Sequence, residues 1–380
     1  MSDAADGCSG PGFRLVARDG EARAGVLQTA HGEVRTPVFM PVGTRASVRG
    51  IDPAVVADLG ASVVLANTYH LHFRPGEDVV EGLGGLHAFM GWDGPILTDS
   101  GGFQIFSLRD TILALDDGGV TFRSVYDGTA TRLTPESVAA IQRRLGSDIA
   151  MCLDVVEPAG APTGRLEAAV ERTTAWAARQ LAAPRAPGQL LFGISQGGVD
   201  RELRRRSIEE LCALGFDGYA LGGLSVGETR ETMLDTVSDA APLLSAGRPR
   251  YFMGIGDPQG ILEVVERGID MFDCVLPTRL GRTGTALTRE GRLNLRNARF
   301  ARDPGPLDPA CRCPACARFS RGYLRHLVTQ RELLGLVLLS IHNVRYLIEL
   351  TAGARDAIER GAFAAFKADV LARSTGAGPV

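Results

Sequence analysis

Two stretches decide the fold: Tyr251-Phe252-Met253-Gly254-Ile255-Gly256-Asp257-Pro258 and Met271-Phe272-Asp273-Cys274-Val275-Leu276-Pro277. Each is a short apolar run that ends in polar or Gly-rich residues, which reads as a strand followed by a turn. Between them Asp257-Pro258 opens a helix, with Asp as N-cap and Pro at the first helical position. Working outward, similar runs recur at Ser62–Asn67, Pro95–Asp99, Ile149–Asp154, Leu190–Gln196 and Gly218–Gly223. Helical patterns separate most of them. One opens at Thr134-Pro135-Glu136 and ends before Gly146; another starts at Asp200 and runs through Leu203, Ile208 and Leu211 to Gly215. This alternation predicts a parallel α/β protein. Asp99, Asp154, Gln196, Gly222-Gly223, Met253-Gly254 and Asp273 all fall at or near the C-terminal ends of predicted strands. In a closed barrel those ends converge on one face. An open doubly wound sheet brings fewer strand ends to its crevice. The expected fold is therefore an α/β protein built as a closed barrel rather than an open sheet.

The chain has 380 residues, 45% hydrophobic and 22% charged, with a formal net charge of −3. That composition excludes a disordered protein. No apolar run reaches the ~18 residues of a membrane span, and the polar start, Met1 to Phe13, does not read as a secretion signal. Seven cysteines are an odd count without disulfide-framework spacing, so a reduced, cytoplasmic protein with no membrane association is expected. Charge is uneven. Between Arg279 and His326 there are eleven arginines against Glu290, Asp303 and Asp308, so the rest of the chain is acidic. This asymmetry is compatible with a polyanion-binding face, and equally with a solvated Arg-rich surface in a chain whose only lysine is Lys367.

Cys311-x-Cys313-x2-Cys316 is followed after 25 residues by His342, inside a helical pattern from Leu334 to Leu350. Three thiolates and one imidazole fill a tetrahedral shell and leave no position for water, which predicts one structural Zn2+ per subunit. Cys8, Cys152, Cys212 and Cys274 read as free thiols or small core residues. His31, His70, His72, His87 and His326 show no metalloprotease spacing and read as structural.

The strand-end residues also form a chemical inventory. A carboxylate accepts from the N1–H and N2–H of a guanine-like base together; an amide and a Gly backbone N–H satisfy its O6; Phe103 and Met253 can sandwich the ring. Each residue singly can also be a helix cap or a core group. Together they fit a purine site.

These motifs together resemble the tRNA-guanine transglycosylases, also called queuine tRNA-ribosyltransferases. The resemblance runs from about Gly12 to Phe366. It is carried by Arg35-Thr36-Pro37-Val38-Phe39-Met40-Pro41-Val42-Gly43-Thr44, Asn67-Thr68-Tyr69-His70-Leu71, Thr98-Asp99-Ser100-Gly101-Gly102-Phe103-Gln104, Gln196-Gly197-Gly198, Gly222-Gly223-Leu224-Ser225-Val226-Gly227-Glu228, Phe272-Asp273-Cys274-Val275-Leu276-Pro277-Thr278-Arg279 and the set of three cysteines and one histidine. It implies an α/β fold, a (β/α)8 TIM barrel with an inserted zinc-binding subdomain: the main part of the catalytic barrel over 1–290, the zinc-binding subdomain over 291–345, and a C-terminal helix closing the barrel plus a tail over 346–380. It also implies exchange of guanine for a 7-deazaguanine base at the wobble position of tRNAs with G-U-N anticodons (Asn, Asp, His and Tyr type), with preQ1 (7-aminomethyl-7-deazaguanine) as the incoming base in bacterial members. Asp273 matches the nucleophile and Asp99 the general acid/base. Asp154, Gln196, Gly222 and Gly223 match the base-recognition groups. The Leu224 carbonyl matches the group that binds the 7-aminomethyl, and Phe103 and Met253-Gly254 match the positions that enclose the ring. Arg279 and Arg282 match contacts to the anticodon region. Phe319-x3-Tyr323-x2-His326 resembles the aromatic cluster of bacterial homodimers.

Three positions depart from the bacterial pattern or bear on it. Val156 stands where preQ1 enzymes usually carry Cys and resembles the queuine-using type. Val226 keeps the bacterial choice. Asp257 stands where many members carry Lys, and reads as a helix N-cap. Queuine salvage and a non-catalytic tRNA-binding accessory subunit are the competing readings. A barrel zinc hydrolase would need an open metal position at the strand ends.

Overall fold

The computed structural model describes residues 12–375. Cys8 and most of the tail lie outside them. A three-stranded antiparallel sheet comes first: β1 (Phe13–Asp19), β2 (Ala22–Thr29) and β3 (Gly32–Thr36). Barrel strands follow as β4 (Val38–Pro41), β5 (Val64–Asn67) and β6 (Ile96–Asp99). An antiparallel excursion, β7 (Ile112–Asp116), β8 (Gly119–Arg123) and β9 (Ala130–Leu133), interrupts the series. The barrel resumes with β10 (Ile149–Met151), β11 (Leu190–Ser195), β12 (Gly218–Leu221), β13 (Arg250–Phe252) and β14 (Met271–Cys274). Parallel pairing runs β4-β14-β13-β12-β11-β10-β6-β5, which is chain order around a ring. A parallel bridge between Val42 and Leu65 closes it, and the Gly43 N–H donates to the Leu65 carbonyl at 2.6 Å.

Side chains alternate between the two faces of each strand. Val38, Met40, Leu65, Leu97, Ile149, Met151, Ile194, Ala220, Tyr251 and Met271 fill one apolar cluster inside the ring, closed at the far end by Phe13, Leu27 and Val34 of the first sheet. Phe39, Ala150, Leu191, Leu221, Phe252 and Phe272 pack outward against the helices. The next inward positions are Asp99 above Leu97, Gln196 above Ile194, Gly222 above Ala220, Met253 above Tyr251 and Asp273 above Met271. The period of two therefore aims these groups into the barrel mouth.

The caps read from sequence are present. Thr134 Oγ1 accepts from Ser137 N–H and Gly146 ends that helix in the left-handed conformation. Asp200 and Asp257 accept from Leu203 and Gly260 N–H respectively. The strands are shorter than the apolar runs. In Met271–Pro277 the strand stops at Cys274, because Pro277 sits in the first turn of the helix Leu276–Arg282. β4, bounded by Pro37 and Pro41, is too short to stand out as a run.

After β14 come the hairpin β15 (Thr285–Thr288) and β16 (Gly291–Asn294), the cysteine loop, two short helices and the long helix Leu333–Glu359. By length and composition that helix is apolar enough to cross a membrane, but most of it is buried. It packs on Leu276–Arg282, on β15 and on the first sheet, so it is a core helix that ties the cysteine region to the barrel.

Candidate active site

The six predicted strand-end groups meet at one end of the barrel. Asp273 lies on β14, where its Oδ1 accepts from Tyr251 Oη at 2.6 Å and from Gly254 N–H at 2.9 Å. Its Oδ2 accepts no hydrogen bond among the described residues. One oxygen is thus held and the other is free to react. Burial raises the Asp273 carboxyl above its ordinary value, while the two donors oppose that shift. The Tyr251 hydroxyl is pushed well up by burial and by Asp273, so it stays a donor.

Asp99 ends β6. Its Oδ2 accepts from Asn67 Nδ2 at 2.5 Å and its Oδ1 from Thr68 N–H at 3.3 Å. Burial, then the Asp273 charge, push its pKa up to about 7 despite those donors. Asp154 follows β10. Its Oδ1 accepts from Ser100 Oγ at 3.2 Å and its Oδ2 from Gln196 Nε2 at 2.6 Å. Burial pushes it up to about 6. These shifts have a stability consequence. Between roughly pH 4 and 7 these two carboxyls hold more protons in the folded chain than in the unfolded one, so their contribution to stability falls as pH rises through that window. Asp99→Asn removes one of the groups responsible. Its melting temperature should exceed that of the parent by roughly 3–5 °C at pH 8, with the gap closing by pH 5. A pH-independent difference in thermal melts would contradict the raised Asp99 pKa.

Close approach explains the glycines. A Cβ at Gly102 would collide with the Asp154 carboxylate, and one at Gly222 would lie 2.6 Å from Ile194 Cγ2 and 2.7 Å from Gln196 Nε2. Phe103 is half exposed at the rim, and Met253 is partly buried against the barrel interior. Leu224 is buried. Glu228 accepts from the N–H groups of Ser225 and Val226, so the Leu224 carbonyl, on the opposite side of the Leu224–Ser225 peptide, points away from Glu228. Val156 is buried. Asp257 caps its helix and also accepts from Arg230 Nη1 at 3.3 Å.

A cleft of about 320 Å³ adjoins Gly254 and Cys274 and reaches Arg279. Arg279 and Arg282 project from the helix that follows β14. Burial, then Arg49 and Arg279, lower the Arg282 pKa, so three cations cluster here. Of the eleven arginines between 279 and 326, Arg289 and Arg321 are tied to Asp308, Glu349 and Asp303. The others pair with no carboxylate among the described residues, and Arg279 with Arg49 and Arg282 forms a cationic patch beside the barrel mouth.

Cys311, Cys313 and Cys316 offer their sulfurs, and His342 a ring nitrogen, all within 4.8 Å of one another. The four residues are buried, and Cys313 Sγ and Cys316 Sγ lie 3.6 and 3.3 Å from His342 Nδ1. His342 Nε2 donates to the Leu287 carbonyl at 2.7 Å, which leaves Nδ1 as the ligating atom. This donor set fits a metal ion with a closed shell. Of the remaining histidines, His31 and His87 stack at 3.6 Å and both bond Asp148, His70 bonds Tyr126, and His72 bonds Glu77. Asp148 precedes β10, so that pair lies at the opposite end of the barrel from the carboxylates. His326 is exposed.

Sequence reasoning did not single out Tyr251, Ser100 or Arg204. Tyr251 was hidden inside an apolar run. Arg204, 2% exposed, sits in an Arg-Arg-Arg run that looks like surface.

The queuine tRNA-ribosyltransferase family profile matches residues 19–375. Among curated relatives, the queuine tRNA-ribosyltransferase of Nitratidesulfovibrio vulgaris is 54% identical over 357 residues, covering 93% of this chain and 95% of the relative. That of Solidesulfovibrio magneticus is 52% identical over 362 residues, covering 95% and 97%. That of Thermus thermophilus is 50% identical over 364 residues, covering 96% and 94%. With a match across nearly its whole length and the barrel-mouth carboxylates in place, the chain belongs to the queuine tRNA-ribosyltransferase family.

Proposed function

We propose that this protein exchanges the wobble guanine of G-U-N anticodon tRNAs for a 7-deazaguanine base, preQ1, by double displacement. The observation that carries the reading is the unlike pair of carboxyls at the barrel mouth. Asp273 has one oxygen held by two donors and one free, while Asp99 titrates near neutrality. In the first step Asp273 Oδ2 attacks C1′ of the ribose. The C1′–N9 bond breaks, its electron pair goes to guanine, and Asp99 supplies the proton. The tRNA is then held as a glycosyl ester on Asp273. In the second step Asp99, now ionised, takes the proton from N9 of the incoming base, which attacks C1′ and displaces Asp273. Two inversions give net retention.

Asp154 accepts from the N1–H and N2–H edge of the base, and Gln196 and the Gly223 N–H serve O6. The Leu224 carbonyl accepts from the 7-aminomethyl group, and Phe103 and Met253 enclose the ring. Arg279 and Arg282 hold the anticodon backbone. The metal is assigned as Zn2+, on the preference of a set of three thiolates and one imidazole for that ion. None of the six described cysteines is in a disulfide, which supports a cytoplasmic setting. A homodimer is proposed through the stacked Phe319–Tyr323 pair, with rings 5.4 Å apart, beside an open cleft.

The test is a chase. A G-U-N tRNA carrying labelled guanine at the wobble position is incubated with the protein and then with unlabelled guanine, preQ1 or queuine. Release by guanine and preQ1 but not queuine is expected. Release by queuine would make Val156 a specificity determinant and the protein a salvage enzyme. No release despite tRNA binding would leave an accessory subunit and remove Asp273 from its role.

A further inference from the structure

Arg204 lies in the first turn of the helix Arg201–Leu214. Its neighbours, the exposed Arg205 and the half-buried Arg206, pair with Glu202, Glu209 and Glu210. Among the described residues, Arg204 has no carboxylate within ion-pair distance. Its guanidinium donates instead to three main-chain carbonyls: Nη1 to Ser195 O at 2.8 Å and Gly222 O at 2.9 Å, and Nη2 to Gly198 O at 2.6 Å. Burying a cation is costly unless hydrogen bonds offset its lost hydration, and here those bonds run to main-chain carbonyls and so fix backbone. Those carbonyls belong to the end of β11, the loop after it and the turn after β12. These segments carry Gln196 and Gly223.

Peptide geometry gives the clamp a direction. The Gly222–Gly223 peptide is trans, so its C=O and N–H point to opposite sides. With Gly222 O held on Arg204, the Gly223 N–H faces away from the helix. It donates to no protein group among the described residues. Gly223 itself lies against the Gln196 side chain, whose Nε2 is bonded to Asp154. The free donor therefore borders the amide and carboxylate that line the base pocket.

We propose that Arg204 is a positioning residue for base recognition: by holding the Gly222 carbonyl it aims the Gly223 N–H at the 6-oxo group of a guanine-type base. This rests on the guanine-site reading above. Arg204 touches no base; it acts through one peptide. Its loss should therefore erase preference for an oxygen at position 6, beyond any general weakening.

The experiment compares guanine with 6-thioguanine, which keeps the N1–H and N2–H donors but presents sulfur, a poor acceptor. Labelled guanine is measured by equilibrium dialysis and 6-thioguanine by competition, for the parent, Arg204→Gln and Arg204→Lys. The parent should prefer guanine about tenfold, the worth of one good hydrogen bond. Arg204→Gln should cut that ratio to about twofold. Arg204→Lys, which keeps the charge but not the fork, should fall between, and it carries the test where Arg204→Gln fails to fold. A purely structural role would weaken both bases equally and leave the ratio intact in the folded variants, which overturns the proposal. Absence of guanine binding by the parent would instead overturn the guanine-site reading, and this proposal with it.

Discussion

Asp273→Asn is expected to lower wobble-guanine exchange by at least about ten-thousandfold while tRNA affinity changes by less than about threefold. The asymmetry follows from the two ends of the side chain. Asn keeps an oxygen that accepts from Tyr251 Oη and Gly254 N–H, so β13, β14 and the turn between them stay in register. What is lost is the second oxygen, the one without a partner, which becomes an amide and no longer attacks C1′. In the proposed reading tRNA binding draws on the cationic patch of Arg49, Arg279 and Arg282, which the substitution leaves alone. Single-turnover exchange, filter binding and a denaturing gel for the covalent adduct separate these effects. Loss of exchange and adduct with binding retained is the expected outcome. A variant that still forms the adduct, or one that loses binding and exchange together, would contradict the nucleophile assignment. Asp273→Ala should behave alike in exchange and excludes reversion of Asn to Asp by deamidation.

The barrel was legible because its functional groups interrupt apolar runs. A carboxylate at the end of Pro95-Ile96-Leu97-Thr98 or inside Met271-Phe272-Asp273-Cys274 has no place in a core. Once strands are assigned, the period of two sends it into the mouth. Local caps were legible for the same reason: Thr134, Asp200 and Asp257 act on N–H groups three residues away. Groups that act across long separations were not. Asp148 gathers His31 and His87 from 117 and 61 residues away, a pairing no local pattern encodes. Tyr251 is apolar enough to pass as core, and its role is fixed by a partner two strand positions up on β14. Arg204 is the instructive miss. Arg204, Ser207, Ile208 and Leu211 follow the i, i+3, i+4, i+7 rule and all face inward, so the helical period already separated Arg204 from Arg205 and Arg206. The identity of the three residues concealed it.

Removing the metal should damage tRNA handling more than base binding, because the ligand set is wired to the arginine helix. His342 is followed on the long helix by Asn343, whose Nδ2 donates to the carbonyls of Pro277 and Thr285 at 3.0 and 2.9 Å and whose Oδ1 accepts from Leu287 N–H at 2.7 Å. Leu287 is also the residue whose carbonyl fixes His342 Nε2. Just before His342 on the same helix, Ser340 packs so tightly on Gly281 that a Cβ there would lie 2.6 Å from Ser340 N. The segment Leu276–Arg282, which carries Arg279 and Arg282, is thus registered on the helix by groups adjacent to the metal ligand. His342→Ala is expected to drop metal content from one ion per chain to none and to lower the melting temperature by roughly 10 °C or more, since metal affinity in such closed sites is folding energy. Affinity for tRNA should fall at least about tenfold as the arginine platform loosens, while guanine binding changes by less than about twofold, because Asp154, Gln196 and Gly223 follow β10, β11 and β12, which lie beyond β13 from β14 and its arginine helix. Metal analysis, thermal melts and the two binding assays on one preparation decide it. Equal loss of base and tRNA binding would mean that the metal supports the barrel as a whole; unchanged tRNA affinity in a metal-free, folded variant would break the proposed link from His342 through Asn343 to the arginine helix.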